Sequence, residues 1–452
     1  MFEERRKIPI TSKMENLKNT SIGIRIFSIS ILIIAYLMLN TENILAQSLT
    51  SQRTLSFDSR YVIQGYSNKA VGQFGIELFN LATLPANLIV KPDTSLTKGD
   101  KKFLFYDSHQ LRNVANGLLL FAGSIFIKNS FQFAYHEYGH GTRLAAIGFK
   151  ASYGHSAIAN DADLQAILSG EVKLYDNLFY FYLSSLFDAT GFTIIIEEDT
   201  LFSPLYNELN NNGWDGLLQM GGFNNEMLFS EFIEDEMHRN GGHIGFLIPY
   251  INGKLAAQNY PTTGVGVFND VTNIISYYQG RGYNIDNDKI SKGDKVSLFT
   301  STLSYQLVYQ FLNMLSGKSS RFHPWEFRGI ELPNTLFYMN RSGLSYKIRS
   351  GYRFGEWRFP FALEYVFEGE KRTEVGFGAE KQFDNLTTAF EAIIGKRLEF
   401  AMDVSYRQSK WLMISGGYAL YDERNLHGER LIPSLEHGST YHDFYLRASL
   451  TY

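Results

Sequence analysis

The chain has no cysteine. That excludes a disulfide framework, a thiolate metal site and a cysteine nucleophile. It also lacks an excess of one charge sign: 42 Lys and Arg face 46 Asp and Glu, for a formal net charge of −4. No basic field arises of the kind that gathers nucleic acid, so no nucleic-acid partner is expected. A mean hydropathy of −0.16 is too polar for a chain built of many membrane-spanning helices. The apolar run at residues 26–39 has 14 residues, short of the roughly 20 that a transmembrane helix needs.

Aromatic residues, by contrast, are abundant. There are 28 Tyr and 36 Phe, with 39 Gly beside them. That mixture suits a chain rich in β-structure, including β-structure in a membrane. At 452 residues the chain is too long for one ordinary domain. Its first segment carries Arg5, Arg6, Lys7, Lys13, Lys18 and Arg25, then the run at 26–39, then Ala46 in "NILAQS". A basic head, a short apolar core and a small residue describe a secretory signal peptide over 1–46. Ile44 is bulky for a cleavage site, and a start at Met14 would shorten the long head. An uncleaved anchor is the alternative. Either way the rest of the chain is expected in the cell envelope.

Residues 47–330 read as mainly helical. An apolar pattern starts at Leu111 and stops near Gly148, with ten apolar or small residues at 118–127 before Lys128 and Asn129 interrupt. It is expected to form one or two core helices. Residues 178–196 read as a core or membrane-surface helix, about 202–239 as a second helical block, and 255–330 as mixed, with turns.

After about residue 330 the period becomes two. Phe359, Phe361, Leu363, Tyr365 and Phe367 share one face, as do Leu398, Phe400, Met402, Val404 and Tyr406, against Glu399, Asp403 and Arg407. Seven strands are expected near 343–354, 357–368, 372–383, 386–395, 398–408, 411–421 and 441–452, with a weaker eighth near 334–341. Strands of roughly 9–11 residues, apolar outside and polar inside, are what a transmembrane barrel needs. Lys347, Arg349, Arg353, Glu364, Glu380, Glu399, Asp403 and Arg407 would then point inward as an ion-paired filling. The last strand, "DFYLRASLTY", resembles the C-terminal strand of bacterial outer-membrane barrels, whose terminal aromatic residue, here Tyr452, is read by the insertion machinery. A soluble antiparallel sheet is the other reading, but no helix follows to cover its apolar face.

The chemistry lies in "HEYGH", residues 136–140. Four residues apart on a helix, His136 and His140 share a face and can hold one metal ion. Glu137 is placed to take a proton from an attacking water. The bland reading is a pair of hydrogen-bonded histidines on a core helix. The stretch resembles the active-site helix of zincin metallopeptidases, and "HEYGHGTRLAAIG" is similar to site-2 proteases and to some gluzincins. That resemblance implies Zn2+ as cofactor and a peptide or protein substrate. It implies Glu137 as general base and His136 and His140 as ligands. For a gluzincin the third ligand is a Glu on a later helix, for which Asn225-Glu226 is the best match, though Ser230 stands where an acidic residue is common. For a site-2 protease it is the Asp of an Asp-Gly step, here Asp215-Gly216 without the usual proline. Glu231, Glu234, Asp235 and His238 remain open.

Weaker candidates are His427, His437 and His442 in a late loop, the aromatic "FHPWEF" at 322–327, and acidic spacing at 160–163. The expected architecture is therefore α+β: an α-helical zincin-like domain at 47–330, followed at 331–452 by an antiparallel β-barrel of about eight strands in the outer membrane. The function expected is zinc-dependent peptide hydrolysis. The rivals are a non-enzymatic structural or adhesive barrel, and an inner-membrane site-2-like protease with spans at 26–39, 114–135 and 178–196.

Overall fold

Alternation of apolar and polar residues gives this chain a sheet with two unlike faces. The computed structural model describes residues 54–58, 68–90, 102–103, 106–146, 149–155, 173–175, 178–185, 192–198, 215–259, 270–409, 411–431 and 440–451. The expected signal peptide at 1–46, residues 160–163, His437 and Tyr452 lie outside them. Eight strands follow one another in the last third: β6 (Ile330–Asn340), β7 (Gly343–Phe354), β8 (Trp357–Gly369), β9 (Thr373–Gln382), β10 (Leu386–Ile394), β11 (Leu398–Arg407), β12 (Leu412–Asp422) and β13 (Thr440–Thr451). Each pairs antiparallel with the next. Two further strands complete a ten-stranded sheet: β1 (Thr54–Asp58) on β13, and the two-residue β5 (Glu326–Phe327) on β6.

The sheet is open. Among the described residues no ladder joins β1 to β5 or β6, so strand pairing does not close the expected barrel. The reason is local. Beyond the two-residue β5 no further described strand joins this sheet, since Arg321–Phe322 pairs with Gly242–His243 instead, and helices pack at the β6 edge.

The helices of the described residues are α1 (Asn68–Leu81), α2 (Thr83–Ile89), α3 (Ser108–Ala146), α4 (Leu178–Ser185), α5 (Asp215–Asn240), α6 (Leu247–Lys254), α7 (Asp270–Gly280), α8 (Asn287–Phe299), α9 (Thr302–Leu315) and α10 (Leu426–Leu431), of which α5, α8, α9 and α10 touch β6. The pattern from Leu111 is one helix of 39 residues, unbroken at Lys128 and Asn129. Residues 178–196 are not a single helix. After α4 the β-branched run Thr193, Ile194, Ile195 and Ile196 forms β4 (Phe192–Glu198), which pairs with β2 (Phe149–Gly154) beside β3 (Leu174–Tyr175). Among the described residues of 255–330 there are three α-helices, α7, α8 and α9; Asp286 caps α8 by accepting from the Lys289 amide.

Residues on both sides of position 330 share a core. Met227, Ile274 and Tyr278 of α5 and α7 cluster with Phe337, Met339 and Leu344 of β6 and β7. Residues Ser51–Tyr452 form one compact unit. Helix α5 lies along the polar face of the sheet. Lys347 and Arg349 on β7 reach Glu231 and Asp235, each at 2.7 Å, and Arg239 pairs with Glu380 of β9. Arg430 of α10 holds Glu364 of β8 through two bonds of 2.7 Å. The inward charges are thus partnered largely by helices laid against the sheet.

Burial alone would raise the Glu231 carboxyl; Lys347 and Arg349 beside it bring it down from 4.5 to about 2. A depressed carboxyl stabilises the fold above the unfolded value near 4.5 and ceases to do so as pH falls toward 2. The melting temperature is therefore expected to drop between pH 5 and pH 2. In Glu231→Gln that drop becomes shallower, and stability at pH 7 falls by about 3 kcal/mol because Lys347 is left without its partner. Thermal melts of both chains across this range check it.

Candidate metal centre

Helices α3 and α5 touch backbone to backbone. A Cβ on Gly139 would lie 2.2 Å from the Gly221 carbonyl oxygen, and one on Gly221 would lie 2.3 Å from that of Gly139. Only glycine permits this approach. It brings the face of α3 that carries His136 and His140 directly against α5.

Each imidazole is anchored through Nδ1. His136 Nδ1 is 2.7 Å from Glu226 Oε1, and His140 Nδ1 is 2.9 Å from the Leu218 carbonyl oxygen. Both partners accept, so both Nδ1 atoms donate and each Nε2 faces the other way; opposite the Asp270 carboxylate the Nε2 atoms carry protons, which a bound metal ion would displace. The two Nε2 atoms converge on one oxygen, Asp270 Oδ2 at the start of α7, at 3.4 and 3.5 Å. The rings stand edge to face with centroids 4.8 Å apart. Glu137 is buried beside them, and ligand atoms of His136, Glu137 and His140 lie within 4.8 Å of one another. Burial would raise the Asp270 carboxyl, but the imidazoles of His140 and His136 hold it down at about 2.

Two imidazoles with carboxylates beside them are donor types that could hold a metal ion. Two ligands about 2.1 Å from a tetrahedral ion stand about 3.4 Å apart, which matches both Nε2 to Oδ2 separations. Space is kept for this convergence by Gly222, where a Cβ would come within 2.5 Å of His136 Nε2 and 2.7 Å of His140 Cε1.

No family model, curated protein or solved structure matches the chain. The centre is therefore read from its own atoms.

Glu226, the expected third ligand, lies on the far side of the His136 ring from Nε2. Its Oε2 accepts from Gln132 Nε2 at 3.2 Å and Asn252 Nδ2 at 3.3 Å. The other candidates are engaged elsewhere. Glu231 and Asp235 hold Lys347 and Arg349, Glu234 is 3.1 Å from Lys254, and His238 is 3.6 Å from Glu331. Asp215 is the first residue of α5, and its side chain lies outside the description. A second group, His238 with Glu326 and Glu331, has the donor types for a metal. Arg353 and Arg358, however, pair with those two carboxylates at 2.6 Å each, so it is an ion-pair cluster. Of the late histidines, His427 is buried in α10 on Glu399 and His442 sits on β13 beside the Tyr418 hydroxyl.

Asp270 was not singled out by the sequence. Its only local signal is an acid in the first turn of an apolar helix, which ordinarily reads as a favourable charge at the helix N-terminus. Gly222→Ala is expected to weaken metal binding about 10–100-fold, with α3 and α5 still formed. Zinc titration against a competing chelator, alongside circular dichroism, checks this.

Proposed function

We propose that this chain is a zinc-dependent peptidase of the bacterial cell envelope, with its sheet seated in an outer-membrane-type bilayer. The observation that carries the catalytic half is the convergence of both Nε2 atoms on Asp270 while both Nδ1 atoms are satisfied. His136, His140 and Asp270 would hold the ion. Glu226 orients His136 and raises its basicity through Nδ1, the usual task of a carboxylate behind a ligating imidazole. When bound there, zinc would supply Lewis-acid chemistry, lowering the pKa of a water toward neutrality and polarising a scissile carbonyl. Glu137, next to His136 on the same helix face, takes the proton from the attacking water and returns it to the leaving amine. An Asp as third ligand suits the likeness to site-2 proteases better than the likeness to gluzincins.

The sheet supports the membrane half. Its outer face exposes Phe361, Leu363, Val375, Met402, Leu446 and Leu450, while Glu364, Glu374 and Glu399 are buried on the other face. Water would favour the reverse. The rim with the turns after β7, β9 and β11 exposes Phe354, Trp357, Phe383, Tyr406 and Trp411, an aromatic belt of the kind found at the headgroup level of membrane barrels. The strands from β6 to β13 have 9 to 13 residues, enough to cross hydrocarbon when tilted. Peptide or protein is the substrate class.

Metal analysis of the detergent-extracted protein separates the outcomes. About one zinc per chain is expected, lost in His140→Ala and Asp270→Ala. In Glu226→Ala zinc is retained with roughly 10–100-fold lower affinity. Loss with Glu226→Ala but not with Asp270→Ala would return Glu226 to the ligand set. No zinc in any sample, even after reconstitution, would leave an imidazole–carboxylate ion-pair cluster in a non-enzymatic protein. Glu137→Gln should keep its zinc and lose about 100–10,000-fold in hydrolysis of a denatured protein substrate.

A further inference from the structure

The two edges of the sheet are bridged by helices. At the β6 edge the start of α9 is sewn to the strand: the Ser301 hydroxyl accepts from the Thr335 amide and donates to its carbonyl, each at 2.9 Å, and the Leu303 amide donates to Asn334 Oδ1 at 2.9 Å. Helix α9 in turn packs on α3, with the Phe121 and Phe311 rings 5.2 Å apart and Met314 against Gly117. On the other side α3 meets α1, where the Tyr135 hydroxyl donates to the Asn68 carbonyl at 2.6 Å. Helix α1 packs on β1. The order around the molecule is therefore β6, α9, α3, α1, β1.

Helices α3 and α9 are apolar on both sides: they bury Leu120, Leu303, Leu307 and Met314 together with polar groups, and they expose further apolar side chains. In the first part of α3 the buried positions include Asn113, Asn116 and Ser124. The Asn113 amide donates to the Gly317 carbonyl at 3.1 Å, and that of Asn116 to the Val90 carbonyl at 2.7 Å. The exposed large side chains between Arg112 and Asn129, themselves exposed, are Leu118, Leu119, Ile125 and Phe126, the last 55% exposed, with Leu111 just before them. In α9 the amides of Gln306 and Gln310 turn inward to the carbonyls of His323 and Ser319. Val308 and Leu312 face outward, Leu312 at 56% exposure. Outward, as on the strands, aliphatic and aromatic groups are exposed. Ser108–Leu144 is also long and apolar enough to cross a membrane.

We infer that α3 and α9 stand in the same lipid belt as the outer face of the sheet, so that strands and helices together form one membrane-facing wall, with acyl chains as the occupant of the exposed helix faces. The inference rests on the membrane reading proposed above. The run of exposed Leu118, Leu119, Ile125 and Phe126 along α3, a helix long and apolar enough to cross a membrane, beside exposed Val308 and Leu312 of α9, carries it.

The absence of cysteine allows a direct test in the full chain. Single cysteines are introduced at Leu119, Phe126 and Leu312 on the helices, Phe361 and Leu446 on the sheet, and Asp288 as an exposed polar control. All six sites are exposed, so no buried contact is removed. Each variant is labelled with a fluorophore and reconstituted in phosphatidylcholine vesicles. Quenching by a doxyl-labelled phosphatidylcholine is compared with quenching by aqueous iodide. The helix labels are expected to be quenched by the lipid as strongly as the sheet labels, and at least threefold more than the label at 288. If the sheet labels are quenched by lipid while the helix labels answer to iodide, the inference falls and the membrane reading stands. Helix labels shielded from both quenchers would mean that protein covers them, which also overturns the inference. If neither sheet nor helix labels sense the lipid quencher, the membrane reading itself fails.

Discussion

The backbone contact between Gly139 and Gly221 sets the geometry on which the rest of the molecule depends. With no side chain between them, α3 and α5 approach closely enough for a carbonyl of α5 to anchor His140 and for Glu226 to anchor His136. Any larger residue at either position would push the helices apart. The two imidazoles would then lose the partners that orient them, and the common point of the Nε2 atoms would go with them. The catalytic reading therefore begins in packing.

Helix α5 carries this precision into the sheet. Its first half faces α3 and the His136–His140 cluster. Its second half presents Glu231, Asp235 and Arg239 to Lys347, Arg349 and Glu380. Charges buried this deeply are costly unless they are paired and hydrogen-bonded. Here the pairing ties the helix to β7 and β9 in a fixed register. The same helix thus positions the site and fills the polar side of the sheet. This explains why two parts that read as separate domains pack around one core. It also accounts for the two faces of the sheet: the ionic groups are committed to the inner face, and the outer face exposes aliphatic and aromatic side chains.

Much of the β part was legible in the sequence because period two depends on neighbours alone. A strand with one apolar face announces itself in ten residues, and all eight alternating stretches after position 330 are strands. The pairing of His136 with His140 was legible for the same reason, since residues four apart share a helix face whatever surrounds them. Residues 192–198 were misread because a short apolar run does not say whether it is helix or strand; pairing with β2 decides it. Closure of the barrel was overestimated because alternation says nothing about where the edge strands end.

By itself, then, the sequence determined the faces: which side of each strand is apolar, and which turn of α3 carries the two imidazoles. Only the tertiary structure decided the partners. Asp270, 130 residues after His140, meets both Nε2 atoms, and Glu226 takes Nδ1 in place of Nε2. Open edges of the sheet are met by helices in the same way. The physical reason is range. Periodicity is a property of consecutive residues, whereas a ligand set or a sheet edge is completed by whatever the packing of distant helices brings within about 3.5 Å.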